Sequence, residues 1–458
     1  MSSNGERDPL LGLAGESNLA RDTNLGDLAA KDEKRHRATK VRAVVYGVLT
    51  AAFIAGVISM ALLWKKMGRD DIVLPKDPQE AAQRVLDIAP VIDGHIDLPE
   101  YARTTYANNI SAFDLNGVVS KHVDIPRLRK GRVGGFFWSV YTACPAHADL
   151  DDGEDFINAT WRVRDTLEQI DVSKLLIEKY SDTFELALTS EDAKSAISRG
   201  KIASMLGVEG AHQLGNSLAV LRQYYDLGVR YATLTHMCHN AFADSGGYLV
   251  PMEPKWGGLS PLGRVLVKEM NRLGMLVDLS HTSDDTARQA LEITKAPLIW
   301  SHSSARSVHN VARNVPDDIL EKIGTTEGKV DAVIMVNFAP QFVAKPGKAT
   351  LHVVADHIEY LANRMGKAHV GLGSDYDGID SVPEGLEDVS KYPDLIAELY
   401  ARGWTGYELA GLTGRNVLRI MEGAERVAAE LKASGAQPAM ELYDKRNDLP
   451  QGSLKAEL

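Results

Sequence analysis

Residues 275–302 read MLVDLSHTSDDTARQALEITKAPLIWSH. Two short apolar runs, Met275–Leu279 and Leu298–Trp300, flank a stretch with helical spacing of apolar residues, Thr286–Thr294. The order is strand, helix, strand, which is how two parallel strands are joined. Each run leads straight into a histidine, His281 after DLS and His302 after IWS. In parallel α/β folds the groups that do chemistry project from the C-terminal ends of the strands. One stretch therefore supplies both a repeating unit of the fold and two candidate functional side chains.

The unit recurs on either side. The runs Pro90–Asp93, Gly135–Tyr141, Ile202–Val208, Tyr231–Leu234, Ala332–Asn337 and Val370–Gly373 bring the strand candidates to eight. Between them lie amphipathic stretches such as Leu218–Leu227, Leu262–Leu273, Val353–Met365 and Leu395–Arg402. Eight strand–helix units predict an α/β chain closed as a (β/α)8 TIM-type barrel over residues 85–433. An open doubly wound sheet is the alternative, and no Gly-x-Gly-x-x-Gly turn supports it. A ninth run, Phe184–Leu188, is either an inserted strand or a barrel strand in place of another.

The rest of the chain bounds the setting. It has 458 residues, 44% hydrophobic and 25% charged, an ordinary globular balance that excludes wholesale disorder and fibrous repeats. A net charge of -11 argues against nucleic acid as a partner. Residues 43–64, AVVYGVLTAAFIAGVISMALLW, carry no charge and suffice for a transmembrane helix. Lys31, Lys34, Arg35, Arg37, Lys40 and Arg42 precede it, while Asp70 and Asp71 partly offset Lys65, Lys66 and Arg69 after it. The positive-inside rule then gives a single-pass type II membrane protein, with residues 1–42 as a disordered cytosolic tail and 65–84 as a linker. The barrel is expected in the extracellular space or in the lumen of a vacuole or endosome; ERDPLLG at 6–12 has the form of an acidic dileucine sorting signal. Residues 434–458 read as a polar tail without the apolar end a glycolipid anchor needs. In an oxidising compartment Cys144 and Cys238, the two cysteines present, suit one disulfide bond, and the sequons at Asn109 and Asn158 suit glycosylation.

Polar residues at the strand ends suggest metal chemistry. His95 and Asp97 alternate on an extended segment and share a side. Glu209 lies within GVEG (207–210) at a strand-to-loop junction, where its two oxygens could each meet an ion. His236 ends LTH and Asp375 ends GLGSD. His, Asp and Glu in this combination suit Zn²⁺, and five ligands with one able to bridge point to two ions per chain. Of the 13 histidines, His122, His147, His352, His357 and His369 read as surface residues, His212 as a partner of Glu209, and His239 and His309 as ambiguous.

These residues lie in longer motifs: APVIDGHIDLP (89–99), HVDIPRLRKGRVGGFFWSVYTAC (122–144), GVEGAH (207–212), RYATLTHMC (230–238), LVDLSHTS (276–283), SHSSARSV (301–308), RNVPDDIL (313–320), GSDYDG (373–378) and VPEGLEDVSKYPDLIAEL (382–399). Over about residues 85–425 the chain resembles the membrane dipeptidase (renal dipeptidase) family of zinc peptidases. The resemblance implies a (β/α)8 barrel and hydrolysis of dipeptides by a zinc-bridging hydroxide. It implies one zinc on His95, Asp97 and Glu209, and another on Glu209, His281 and His302. Asp375 falls where the family has a proton shuttle, His236 where a histidine contacts substrate and the developing oxyanion, and Arg313 where an arginine binds the substrate carboxylate. Cys144 and Cys238 match a disulfide-bonded pair, and a homodimer is the family expectation.

The chain departs from the animal members at several places. Ile96 stands where they have Asn, Ala339 and Phe342 stand where they carry cleft tyrosines, and His309 replaces a cysteine. The N-terminal helix replaces a C-terminal glycolipid. Other metal-dependent barrel hydrolases usually show His-x-His on the first strand and often a bridging lysine, unlike His95 and Glu209 here. An inactive membrane scaffold is the remaining alternative, and the five retained ligand positions count against it.

Overall fold

The computed structural model describes residues 22–70, 73–119, 121–144 and 160–445. The sorting motif at 6–12, Asn158 and His147 lie outside them. The chain divides into two units, Met1–Asp71 and Ile72–Leu458. In the first, one helix runs from Asp22 to Asp70. Residues 22–42 are thus helical where the sequence reading expects a disordered tail. The uncharged run at 43–64 is continuous with flanks rich in good helix formers such as Ala, Lys and Arg, which let the helix propagate. Its Ala30–Met60 portion contains an 18-residue window of mean hydropathy 2.1, so by length and composition the helix could cross a membrane.

In the second unit nine parallel strands form one sheet: β1 Val91–Ile96, β2 Val133–Val140, β3 Phe184–Leu186, β4 Ile202–Val208, β5 Val229–Thr233, β6 Leu276–Asp278, β7 Leu298–Trp300, β8 Ala332–Val336 and β9 Val370–Leu372. Eight of them close a barrel in the order β1-β2-β4-β5-β6-β7-β8-β9, with β9 returning to β1 through Leu372 and Asp93. The ninth, β3, is an insertion. It pairs with residues 202–204 at the start of β4, and β5 takes over the same edge from Leu206 onward. The strand therefore lies at the barrel's N-terminal rim, away from the C-terminal mouth.

The strands alternate between two cores, as a period of two requires. Phe137, Ala203, Met205, Tyr231, Leu276, Ile299, Val333 and Met335 fill the barrel. Their neighbours Phe136, Trp138, Ile202, Leu206, Val277, Leu298, Trp300 and Ile334 belong to the core between strands and helices. Gly207 makes the interior packing possible: a Cβ there would lie 2.1 Å from the Tyr231 ring. The helices Pro261–Leu273, Asp284–Ile293 and Leu351–Met365 begin one or two residues before their apolar periodicity. Ser260, Ser283 and Thr350 explain this, since each hydroxyl accepts a hydrogen bond from a free N–H of the first turn.

Two histidines expected at the surface are buried instead. His357 accepts from the Ala305 N–H at 3.1 Å and donates to the Val343 carbonyl at 2.9 Å. His369 donates to the Ala332 carbonyl at 2.8 Å. Both rings have backbone partners from distant elements, so burial leaves no orphaned polar atom. His122 is half-buried and accepts from the Asp377 N–H at 3.0 Å, while His352 is exposed.

Candidate metal centre

Four imidazoles aim their Nε2 atoms at one carboxylate oxygen, Glu209 Oε1. His281 stands at 3.0 Å, His302 at 3.2 Å, His95 at 3.6 Å and His236 at 3.8 Å. They come from the ends of β6, β7, β1 and β5, and Glu209 follows β4. Asp97 approaches His95 Nε2 at 3.3 Å, and Asp375, after β9, converges with His95 and Asp97. The structure thus brings His95, Asp97, Glu209, His236, His281, His302 and Asp375 into one cluster at the C-terminal mouth of the barrel.

The separations fit a metal. Tetrahedral ligands about 2.0–2.1 Å from Zn²⁺ lie roughly 3.3 Å from one another. His281 and His302 place two Nε2 atoms 3.0 Å apart. His95 Nε2 and Asp97 Oδ1 are buried without a hydrogen-bond partner. Asp97 occupies the N-cap of the helix Leu98–Tyr106 yet does not cap it, which leaves the carboxylate to the site.

Electrostatics point the same way. Burial alone would raise the Glu209 carboxyl. The charges of His95 and His236, with the His281 and His302 rings close by, overcome burial and hold it well below the usual range. Burial, then the charge of Arg313, depresses His281; at His302 burial is joined by His95 and Arg313. Both rings therefore stay neutral, the form a metal binds. Burial and the nearby Asp97 and Glu209 charges push the Asp375 carboxyl well above the usual range, against the opposing influence of His95.

Supporting groups fix the rings from behind, and sequence reasoning missed most of them. Tyr231 Oη lies 2.8 Å from His95 Nδ1. Ser301 Oγ donates to Asp278 Oδ2 at 2.6 Å and accepts from His302 Nδ1 at 2.8 Å, which turns the lone pair of His302 Nε2 into the site. Asn337 donates to Asp375 Oδ2 at 2.9 Å. His281 and Asp375 have φ of 63° and 67°, a left-handed conformation uncommon for residues with a Cβ and frequent at functional sites. The expected partner of Glu209, His212, instead donates from Nε2 to the Thr142 carbonyl at 2.8 Å; burial lowers its pKa to about 3. His239, left ambiguous by sequence, is buried beside Asp244 at 3.1 Å.

The centre opens into a cavity of about 550 Å³ lined by Glu100, Tyr141, His236, Tyr248, Phe342 and Asp375, among others. Arg313 is buried nearby, its guanidinium 5.5 Å from the centre of the Phe342 ring. One Nη1–H donates to Ser303 Oγ at 2.8 Å, while Nε and Nη2 have no partner. Burial lowers its pKa to about 10, so it remains charged at neutral pH. Where the resemblance directs attention to tyrosines, Phe342 meets Tyr248 edge to face at 5.2 Å and Ala339 is buried. A disulfide joins Cys144 to Cys238, tying the loop after β2 to the loop that carries His236. Glu100, missed by the sequence reading, sits one helical turn after Asp97. Its carboxyl is raised to about 8 by burial and by the charges of Asp97 and Glu209. The spacing Asp-x-x-Glu at a helix start was the available signal.

Gly378 closes this wall of the cleft. A Cβ there would lie 2.2 Å from Asp97 Oδ2 and 2.8 Å from Asp375 Oδ1. Gly378→Ala is expected to displace both carboxylates and lower kcat/KM by about a hundredfold, the scale of a ~1 Å misplacement. An unchanged melting temperature beside that loss would place the effect in the cleft; retained activity would show that the carboxylates relax freely.

Convergent imidazoles and carboxylates at the mouth of a parallel barrel define a metal-dependent barrel hydrolase. The sequence comparisons narrow the class. Residues 79–435 match the family model described as Membrane dipeptidase (Peptidase family M19), and the chain belongs to that family. An uncharacterized dipeptidase of Schizosaccharomyces pombe is 48% identical over 373 residues, covering 80% of this chain and 88% of that protein. Dipeptidase verJ of Clonostachys rogersoniana is 44% identical over 378 residues, covering 81% and 94%. Among solved structures, a Rhodobacter sphaeroides metallo peptidase liganded with a phosphinate mimic of L-Ala-D-Ala aligns with a TM-score of 0.64 and 26% identity, covering 73% of this chain and 99% of that one. The chain is a metallopeptidase hydrolase with the dipeptidase activity of its family.

Proposed function

We propose that the chain is a two-zinc dipeptidase whose ions are held by His95, Asp97, Glu209, His281 and His302, with Glu209 shared. The observation that carries this reading is the convergence of three Nε2 atoms within 3.6 Å of Glu209 Oε1. When bound, the pair would supply a water acidic enough to attack at neutral pH and would polarise the scissile carbonyl.

The chain's own residues do the rest. Arg313 offers its two unpartnered N–H groups to the free carboxylate of the substrate as charge-assisted hydrogen bonds. It thereby restricts cleavage to the bond one residue from the C-terminus. His236, which lines the same cavity, would donate to the carbonyl oxygen as charge develops there. Asp375, held by Asn337, takes the proton of the attacking water and returns it to the leaving amine. Phe342 and Tyr248 form an apolar wall that keeps water from the guanidinium and strengthens its attraction for a carboxylate.

The setting follows from the same reading. Residues 43–64 span the membrane and 1–42 face the cytosol, so the barrel stands outside or in a lumen. The Cys144–Cys238 bond suits an oxidising space, and the exposed sequon at Asn109 is open to glycosylation. The family expectation of a homodimer is carried here as part of the proposal.

The test uses the full-length chain in detergent, stripped of metal and then reloaded with Zn²⁺. A free dipeptide and its C-terminal amide are assayed side by side. Zinc-restored cleavage of the dipeptide, with the amide at least about tenfold poorer for want of a charge-assisted bond, is the expected result. Equal cleavage of both would remove the role given to Arg313. No cleavage by the folded, zinc-loaded chain would overturn the dipeptidase reading.

A further inference from the structure

The cleft holds charged groups of both signs. The imidazoles of His236, His281 and His302 are grouped with the Arg313 guanidinium, whose positive charge reaches them. Glu100 lies within reach of the charges of Asp97, Glu209 and Asp375. Its carboxylate lines the same cavity as Asp375 and Phe342 and makes no hydrogen bond or ion pair with any described residue. The cation whose charge does reach it, Lys121, donates its ammonium to the Asp377 carbonyl at 2.9 Å. Glu100 also supplies no oxygen to the groups of converging ligand atoms around Glu209. The cation it lacks is therefore not one of the ions assigned to those groups. A partly buried carboxylate with no partner is costly until a positive group arrives. The space in front of it belongs to the substrate.

We propose that Glu100 recognises the free α-ammonium of the substrate, so that the cleft reads both ends of a dipeptide zwitterion: the carboxylate at Arg313 and the ammonium at Glu100. The inference rests on the dipeptidase reading and extends it from one end of the substrate to both. It predicts that peptides blocked at the N-terminus are refused, even with the C-terminal carboxylate free.

Two calorimetric titrations test it on the full-length, zinc-loaded chain. One uses a phosphinate mimic of Ala-Ala, the other the same compound without its amine. Wild type is expected to bind the amine-bearing mimic more tightly. Glu100→Gln should shrink that preference about ten- to a hundredfold, the worth of a charge-assisted contact, and Glu100→Asp should restore part of it. A residue that merely supports the fold would weaken both compounds equally and leave the ratio intact, so an unchanged ratio in Glu100→Gln overturns the proposal. Should Glu100→Gln not fold, Glu100→Asp carries the test, because its shorter arm must also shift the ratio. Hydrolysis of Ala-Ala by the wild type is measured alongside. Activity with an unchanged ratio removes Glu100 alone; absence of hydrolysis removes the dipeptidase reading and this inference with it.

Discussion

Glu209→Gln should empty the centre. The amide keeps the size of the side chain but replaces one oxygen with an NH2 group and removes the charge. The imidazoles that now converge on a carboxylate would face a neutral group with one acceptor. Loss of a single supporting partner costs a metal site about 10–100-fold. If Glu209 is shared by two ions as proposed, its loss should cost more, and we expect kcat/KM to fall by about a thousandfold or more. Metal analysis should show fewer than two Zn²⁺ per chain. The same change gives a readout independent of turnover. An ion that binds only the folded state raises the melting temperature, and more so the tighter it binds. Wild type should therefore melt higher with Zn²⁺ than without, and Glu209→Gln should show little of that rise. Two tightly held ions and an undiminished rise would show that Glu209 is not the shared ligand.

Asp375→Asn should leave the metals and remove the proton's route. Asparagine can keep the contact with Asn337 by flipping its amide, but it cannot accept and return a proton. General acid–base groups contribute about 10²–10⁴-fold, and the loss should fall in that range with zinc content unchanged. The pH profile gives the sharper test. In the proposed mechanism Asp375 acts as a base only when ionised, so the wild-type rate should fall as pH drops through its pKa. Burial and the neighbouring carboxylates raise that pKa, while bound cations oppose the rise. The acidic limb should therefore belong to a carboxylate titrating above an exposed one, and Asp375→Asn should flatten it. A variant that retains the limb would assign it to another group.

Much of this was legible because buried parallel strands read as short apolar runs. Where such a run is followed at once by a histidine or a carboxylate, as at His281, His302 and Glu209, the polar residue sits at the barrel mouth. The role of β3 could not be read, because its apolar run resembles a barrel strand and only pairing shows that β5 displaces it from the β4 edge. The positions of His357 and His369 were misread for a related reason. A neutral imidazole can be buried where distant carbonyls, here those of Val343 and Ala332, happen to face it. The start of the long N-terminal helix at Asp22 was missed because charged residues can continue a helix without any apolar stripe. Asp278 and Ser301 escaped notice because they act through His302, and that relation exists only after β6 and β7 pair. Arg313 came from the family resemblance alone. Its unpartnered N–H groups are the physical reason to take the position seriously.

The Gly207–Tyr231 contact carries an evolutionary consequence. The phenol that steadies His95 rises through the barrel over a residue with no side chain. A lineage that placed even alanine at position 207 would have to move or shrink that ring, and would loosen a histidine on a different strand. A lineage that shortened Tyr231 would instead open a void above the glycine. The close approach ties the two positions, so a change at either is expected to require a change at the other.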